Sequence, residues 1–264
     1  MRLTTLVLAA FVFLCTASAA SASDDLTIVS KNTHNGKPAD PSTYYLSKDH
    51  TRMDMGGGHI MIMEPNTGTM TQLDSKAKTY YTTTKADLDA YAAKMAEKMN
   101  DPEMKKGMEM MAGMTKAMAE QEVVVQKTGK TREVAGFHCE EWLIKENDFT
   151  TMKECVTTKL DFPAQAHDAF KGYSDSMRKA MSPMMGSATK GLKDREEKLK
   201  VIKGYPVATS MVSDIMGNKS TIDSEVTEVR HGAIPASTWE VPADYTKVEN
   251  PMMKAFENRG RHRR

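Results

Sequence analysis

The 264-residue chain has 36 Lys+Arg against 35 Asp+Glu, a formal net charge of +1, and so no basic footprint for nucleic acid. Aromatic residues make up only 6%, whereas methionine occurs 23 times. Thioethers therefore take the place that aromatic and branched side chains usually hold in buried surface.

The chain opens on a targeting pattern. Arg2 is followed by an apolar run from Leu6 to Leu14, then by the small-residue stretches Ala17-Ser18-Ala19 and Ala20-Ser21-Ala22. The pattern predicts a signal peptide over residues 1–22, cleaved on secretion to the periplasm or beyond. The run is shorter than the roughly 20 apolar residues of a membrane span, and no later segment qualifies. Cys15 follows Leu14, where a bacterial lipoprotein signal wants a small residue. Cleavage lowers the cysteine count from 3 to 2, and in an oxidising compartment Cys139 and Cys155 are expected to pair. Residues 23–250 are long enough to form one domain with a substantial core.

Short strands and turns come first. Leu26 and Ile28 alternate with polar residues, and Asn35-Gly36, Pro38 and Pro41 mark loops. Tyr44–Leu46 and Thr51–Met55 read as one strand, bulged or broken around Asp49-His50. Gly56-Gly57-Gly58 is a turn, and His59–Met63 is a strand apolar on both faces, which needs cover on both sides. Asn66-Thr67-Gly68 turns the chain into Thr69–Asp74, and Thr79–Tyr81 ends the meander.

Thr84 to Ala119 holds 8 of the methionines. Leu88, Tyr91, Met95 and Met99 recur at helical spacing, and Met104, Met108, Met111 and Met118 resume it. Thr84 with Asp87 resembles a capping box, and Asp101-Pro102 reads as an N-cap followed by proline at the first helical position. Two consecutive helices follow, each with one apolar stripe and one charged face; they are the natural cover for the doubly apolar strand.

Val123–Val125 is a strand and Gly129-Lys130 a turn, followed by a hairpin with arms Phe137–Lys145 and Thr150–Thr158. Placing Cys139 opposite Cys155 sets Trp142 against Met152, Glu141 against Lys153 and Glu140 against Glu154. Closing that short loop stabilises by roughly 3 kcal/mol on the chain-entropy argument. A helical stretch over 163–190 follows, its stripe made by Ala166, Phe170, Tyr173, Met177 and Met181 and broken at Ser182-Pro183. After the charged run Lys190–Lys203, strands return over Pro206–Asp214 and Ser220–Val229 with Gly217-Asn218 as the turn. Ile234–Ser237 reads as a single helical turn before Trp239–Pro242. Residues 251–264 are a basic tail expected to be disordered.

Arg52-Met53-Asp54, Leu73-Asp74 with Lys78-Thr79-Tyr80, Val134–Cys139, Gly204-Tyr205-Pro206, and Ile234-Pro235 with Trp239–Tyr245 together resemble an uncharacterised secreted bacterial family, described only as a domain of unknown function. That family is similar in organisation to the periplasmic lipoprotein-carrier fold. The resemblance implies an α+β half-barrel, a curved antiparallel sheet with helices on its concave face. It carries over no functional residue, and the methionine-rich helices depart from the carriers in length and composition.

The chain lacks Gly-x-Ser-x-Gly, His-Glu-x-x-His, Cys-x-x-Cys and the phosphate-binding glycine motifs, and its 7 histidines are scattered. The expectation is a non-enzymatic envelope protein without a cofactor. Its partner is a lipid or lipidated peptide held against Met95, Met99, Met108, Met111, Phe170, Tyr173 and Met177, since methionine lines adaptable apolar space. The alternatives are a structural module without a ligand and a Cu(I) site. For copper, period-two geometry sets His59, Met61 and Met63 on one face of a strand, and thioether and imidazole suit that ion. Arg259, Arg261, Arg263 and Arg264 give the tail a weak attraction for anionic lipid surfaces.

Overall fold

The computed structural model describes residues 25–98, 122–146, 149–160, 174–176, 178, 188–215, 217–251 and 254. The signal peptide, the helix expected from Asp101, the basic tail apart from Pro251 and Lys254, and Met99, Met108, Met111, Phe170, Tyr173 and Met177 lie outside the described residues.

A meander opens the chain: β1 (Leu26–His34), β2 (Lys37–Leu46), β3 (Thr51–Asp54), β4 (His59–Glu64), β5 (Thr69–Asp74) and β6 (Thr79–Thr83). Helix α1 (Lys85–Lys98) follows. The chain then continues through β7 (Val123–Val134), β8 (Phe137–Glu146), β9 (Thr150–Thr157), α2 (Ala188–Leu199), β10 (Tyr205–Ile215) and β11 (Asn218–His231). A 3-10 turn at Ala236–Trp239 and a short β12 (Thr246–Lys247) end the described fold. The twelve strands form one open sheet in the order β12-β6-β5-β4-β3-β2-β1-β11-β10-β9-β8-β7. Every pairing is antiparallel except that of β12 with β6. The first and last long strands thus meet at the centre, where β1 pairs β11. The α+β class and the curved antiparallel sheet agree with expectation.

Several local expectations are corrected. Tyr44–Leu46 and Thr51–Met55 are not one strand: β2 and β3 fold back on each other, with Leu46 opposite Thr51. Ser47 Oγ caps the intervening turn by accepting from the His50 amide. Pro38 and Pro41 lie within β2 rather than in a loop. Pairing with β1 jumps from Ser30–Ser42 to Asn32–Ala39, so Pro41 occupies an irregularity where its missing N–H costs no ladder bond. Gly129-Lys130 is likewise internal to β7, at the irregularity between Lys127 and Thr131. The turn lies at Ala135-Gly136, both with positive φ, as a two-residue hairpin turn requires. The turn before β11 falls one residue earlier than expected, since Ile215 already pairs Asn218.

Cys139 and Cys155 are bridged, with Cα atoms 5.3 Å apart. They are not directly opposed, however. Glu141 pairs Cys155, Trp142 pairs Glu154 and Ile144 pairs Met152, so the disulfide runs diagonally, two residues off the expected register. The observed register puts Ile144 rather than Trp142 against Met152, and it removes the expected apposition of Glu140 and Glu154. Both cysteines join the core around Leu26, Ile28, Leu46, Val207 and Val226. Gly204 closes this end. A Cβ there would lie 2.2 Å from the Thr157 carbonyl oxygen, a place only glycine can fill.

Candidate functional site

Antiparallel register lays out two parallel rows of side chains on one face of the meander. The first is Leu26–Leu46–Thr51–Met63–Met70–Thr83, each residue directly opposite the next across β1 to β6. All six are buried, none more than 5% exposed. Two residues along, the second row is Ile28–Tyr44–Met53–Met61–Gln72–Tyr81. Apart from Ile28, its members are half-buried. Beyond it come His59 and Asp74, with His59 exposed. Burial therefore deepens across three steps, from an open rim through a thioether and amide layer to a sealed apolar layer.

The polar groups in these rows differ in how they are satisfied. Tyr81 donates its hydroxyl to Gln72 Oε1, and Gln72 Nε2 donates to Met70 Sδ at 3.7 Å. Burial raises the phenols of Tyr44 and Tyr81 above the ordinary value. Thr83 Oγ1 accepts from Asn250 Nδ2 at 2.9 Å. Thr51 Oγ1 is sealed from solvent and meets no donor or acceptor.

Helix α1 follows β6 directly. Thr84 and Asp87 form the reciprocal cap: the Thr84 amide donates to Asp87 Oδ2 at 2.8 Å and the Asp87 amide to Thr84 Oγ1 at 3.1 Å. The Thr84 bonds hold the Asp87 carboxyl below its ordinary range. Leu88, Tyr91 and Met95, spaced three and four apart, are the buried stripe of this helix. Farther along, α2 is tied to the start of β7 by Lys198, which donates to the Val123 carbonyl, and to β8 by Arg195–Glu146 at 2.6 Å. Among the described helices none is long and apolar enough to cross a membrane.

The opposite face of the meander carries Arg52, Ile60, Ile62 and Leu73. The C-terminal segment crosses this side of the sheet. Ile234 is held by Asp25, Arg52 donates to the Thr238 carbonyl at 2.8 Å, and Trp239 stacks on His50 at 5.2 Å. Lys78 pairs Asp244, and β12 then adds to the β6 edge. Ile62, directly opposite Arg52 across the β3–β4 pairing, is buried on the face this strap crosses. The same face, at the other end of the sheet, has a groove of about 320 Å³ lined by Lys31, Arg132, Glu141, Lys153, Asp223 and Glu225 among others.

Of the residues expected to hold a ligand, Met95 lies on the buried stripe of α1 and the other six fall outside the described residues. His59, Met61 and Met63 do share a face, but they run from exposed to buried along β4, with about 6.6 Å between successive Cα atoms. The thioethers come closer across strands, as Met53–Met61 and Met63–Met70. Sequence reasoning missed Thr51, Gln72 and Tyr81. Thr51 was within reach, because it shares its strand parity with Met53.

The family model described as "Domain of unknown function (DUF4412)" matches residues 27–245, and the chain belongs to that family. The chain is also similar to solved structures. One is PNGF-II, at 12% identity and a TM-score of 0.37, with 90% of this chain and 33% of that one covered. Another is the MucA/MucB complex of Pseudomonas aeruginosa, at 11% identity and a TM-score of 0.37, with coverage of 86% and 58%. A third is a DUF1329 family protein from Desulfovibrio piger, at 8% identity and a TM-score of 0.21, with coverage of 83% and 91%. The chain thus spans a third of the first of these and just over half of the second. No curated protein matches it.

Proposed function

We propose that this is a non-enzymatic extracytoplasmic protein that holds a hydrophobic molecule, a lipid or lipidated peptide, between the curved sheet and the methionine-rich helices. The observation that carries the reading is the pair of rows. A sealed apolar layer lies beside a half-buried layer of Met53, Met61, Gln72 and Tyr81, and Met95 is buried on the helix that leaves the adjacent strand. A layer that is neither packed shut nor fully wet, and is lined by adaptable thioethers, suits an occupant of variable shape. Met99, Met108, Met111, Phe170, Tyr173 and Met177, the other residues expected to hold the ligand, lie outside the described residues, and the reading does not rest on them. The buried disulfide fits an oxidising compartment.

Native mass spectrometry of the protein purified from its own cell envelope tests the reading. Co-purification of a lipid or acylated peptide is the expected result. A bare polypeptide mass, or a copper adduct that His59→Ala with Met61→Ala removes, counts against it.

A further inference from the structure

The groove between β1 and β7 lies away from the methionine rows, and its cavity of about 320 Å³ is within the range that takes small ligands. Strand register sets out its floor. Across β1, β11, β10, β9 and β8 one row runs Lys31–Glu225–Ala208–Cys155–Glu141, and beside it runs Thr33–Asp223–Ser210–Lys153. Ala208 and Cys155 are buried and Ser210 is half-buried, so short side chains lie between long charged ones.

The groove is lined by three cationic and three anionic side chains, and they are unequally used. Glu225 takes both Lys31, at 2.7 Å, and Arg132, at 2.6 Å. Asp223 accepts the Thr33 hydroxyl and Glu141 the Thr128 hydroxyl, each at 2.9 Å. Among the described residues neither of these two carboxylates, nor the exposed Lys153 ammonium, joins an ion pair. Asp223 and Lys153 are two strand steps apart with Ser210 between them, a backbone separation of about 10 Å in a flat sheet.

We infer that the groove binds a short peptide by its two free termini, the ammonium on Asp223 and the carboxylate on Lys153, with the peptide backbone over Ser210 and Ala208. The charges of the groove cancel, so an ion of one sign gains little from their summed field. A molecule that carries both signs gains at each end, because charge-assisted hydrogen bonds are roughly twice as strong as neutral ones. Separation selects the peptide. An extended dipeptide is about 7 Å long, and with a hydrogen bond of about 2.8 Å at each end it reaches both groups, where a single amino acid falls short. The site is independent of the hydrophobic-ligand reading.

The test is calorimetric titration of the full mature chain with L-alanyl-L-alanine, its N-acetyl form and its C-terminal amide. The free dipeptide should bind at least about tenfold more tightly than either capped form. Asp223→Asn, which keeps an acceptor for Thr33, should lower the free dipeptide to the level of the acetylated one, and Lys153→Gln to the level of the amide. In each variant, capping the end that has already lost its partner should make no further difference, a pattern that misfolding does not produce. N-phenylnaphthylamine, a fluorescent reporter of the apolar layer, should bind both variants within about twofold of wild type. Absent binding of the free dipeptide, equal binding of free and capped forms, or a preference that survives both substitutions overturns the inference. A reporter that binds none of the three proteins overturns the hydrophobic-ligand reading and leaves the peptide site standing.

Discussion

Arg132 on β7 and Glu225 on β11 meet at 2.6 Å, although β8, β9 and β10 lie between them in the sheet. Flat neighbouring strands are about 4.8 Å apart, so four such steps would hold the two backbones some 19 Å from each other. The contact requires this end of the sheet to be strongly rolled. Irregularities in β7 and β10 supply the bend, and the Cys139–Cys155 bridge ties β8 to β9 beneath it. Glu225 also takes Lys31 from β1 at 2.7 Å, so a single carboxylate fastens the outer edge strand to the centre of the sheet.

Glu225→Gln should therefore loosen the roll. Lys31 first, then Arg132, hold the Glu225 carboxyl below its ordinary 4.5. A depressed folded value means the contribution is present above the unfolded value and is lost as pH falls through the folded one. Partial exposure limits it to about 0.5–1 kcal/mol. Urea unfolding should show that difference at neutral pH and none well below 4.5, where both proteins carry a neutral group. An equal difference at both pH values would assign the effect to packing instead.

Replacing both Cys139 and Cys155 by alanine should cost about 3 kcal/mol, because the bridge spans 16 residues and restricts the unfolded chain. Both cysteines belong to the core, so some packing loss adds to this. The check is thermal unfolding of the double variant beside the wild type with and without reductant. Reduced wild type should fall toward the variant, whereas a protein indifferent to reductant would contradict a structural bridge.

The sequence made much of this legible where the signal was local. Period-two alternation located β4 and β5, Gly56–Gly58 and Asn66-Thr67-Gly68 located the turns on either side of β4, and Thr84 with Asp87 located the start of α1, whereas Gly129-Lys130 drew the expected turn away from Ala135-Gly136. Registers and long-range cover were a different matter. The diagonal placement of Cys139 and Cys155 depends on a two-residue offset that favourable side-chain pairs alone did not exclude. The strap could not be read from Ile62 and Leu73, because periodicity says that a face is buried but not by what. The orphaned Thr51 became visible only when Leu46 and Met63 were seen on either side of it.

Thr84→Ala should free the first turn of α1 at a cost of about 1 kcal/mol, typical for loss of a capping hydroxyl. The side-chain and backbone bonds of Thr84 are what keep Asp87 below its ordinary 3.8, so this part of the stability is also lost as pH falls through the lowered value. Hydrogen exchange should show the amides from Leu88 to Met95 opening sooner in the variant while β4 and β5 are unchanged. Uniform acceleration across the sheet would mean that α1 does not open as a unit.

Trp239→Ala tests the strap. Its ring stacks on His50, and the adjacent Thr238 carbonyl receives Arg52, whose guanidinium also pairs Asp54 and lies over Tyr45. Losing a half-buried indole should destabilise by about 1–3 kcal/mol and uncover the face that holds Ile62 and Leu73. Enhanced fluorescence of an apolar dye at temperatures below unfolding is the expected sign. An unchanged dye signal would mean the rest of the segment covers those residues without Trp239.

The two faces of β4 give the sharpest comparison, because Ile60 and Met61 are neighbours in sequence and point to opposite sides. Met61 stands between Met53 and Gln72 in the half-buried layer. A lysine there can extend toward the open rim near His59 and Asp74, so Met61→Lys should cost only about 1 kcal/mol of stability. An ammonium bordering an apolar ligand must be desolvated when the ligand enters, and affinity for N-phenylnaphthylamine should fall at least about tenfold. Ile60→Lys places the same charge on the face crossed by the strap, and reporter affinity should stay within about twofold of wild type when both are measured below their melting temperatures. If Ile60→Lys weakens the reporter and Met61→Lys does not, the ligand lies on the strap side of the sheet, and the methionine rows are core and nothing more.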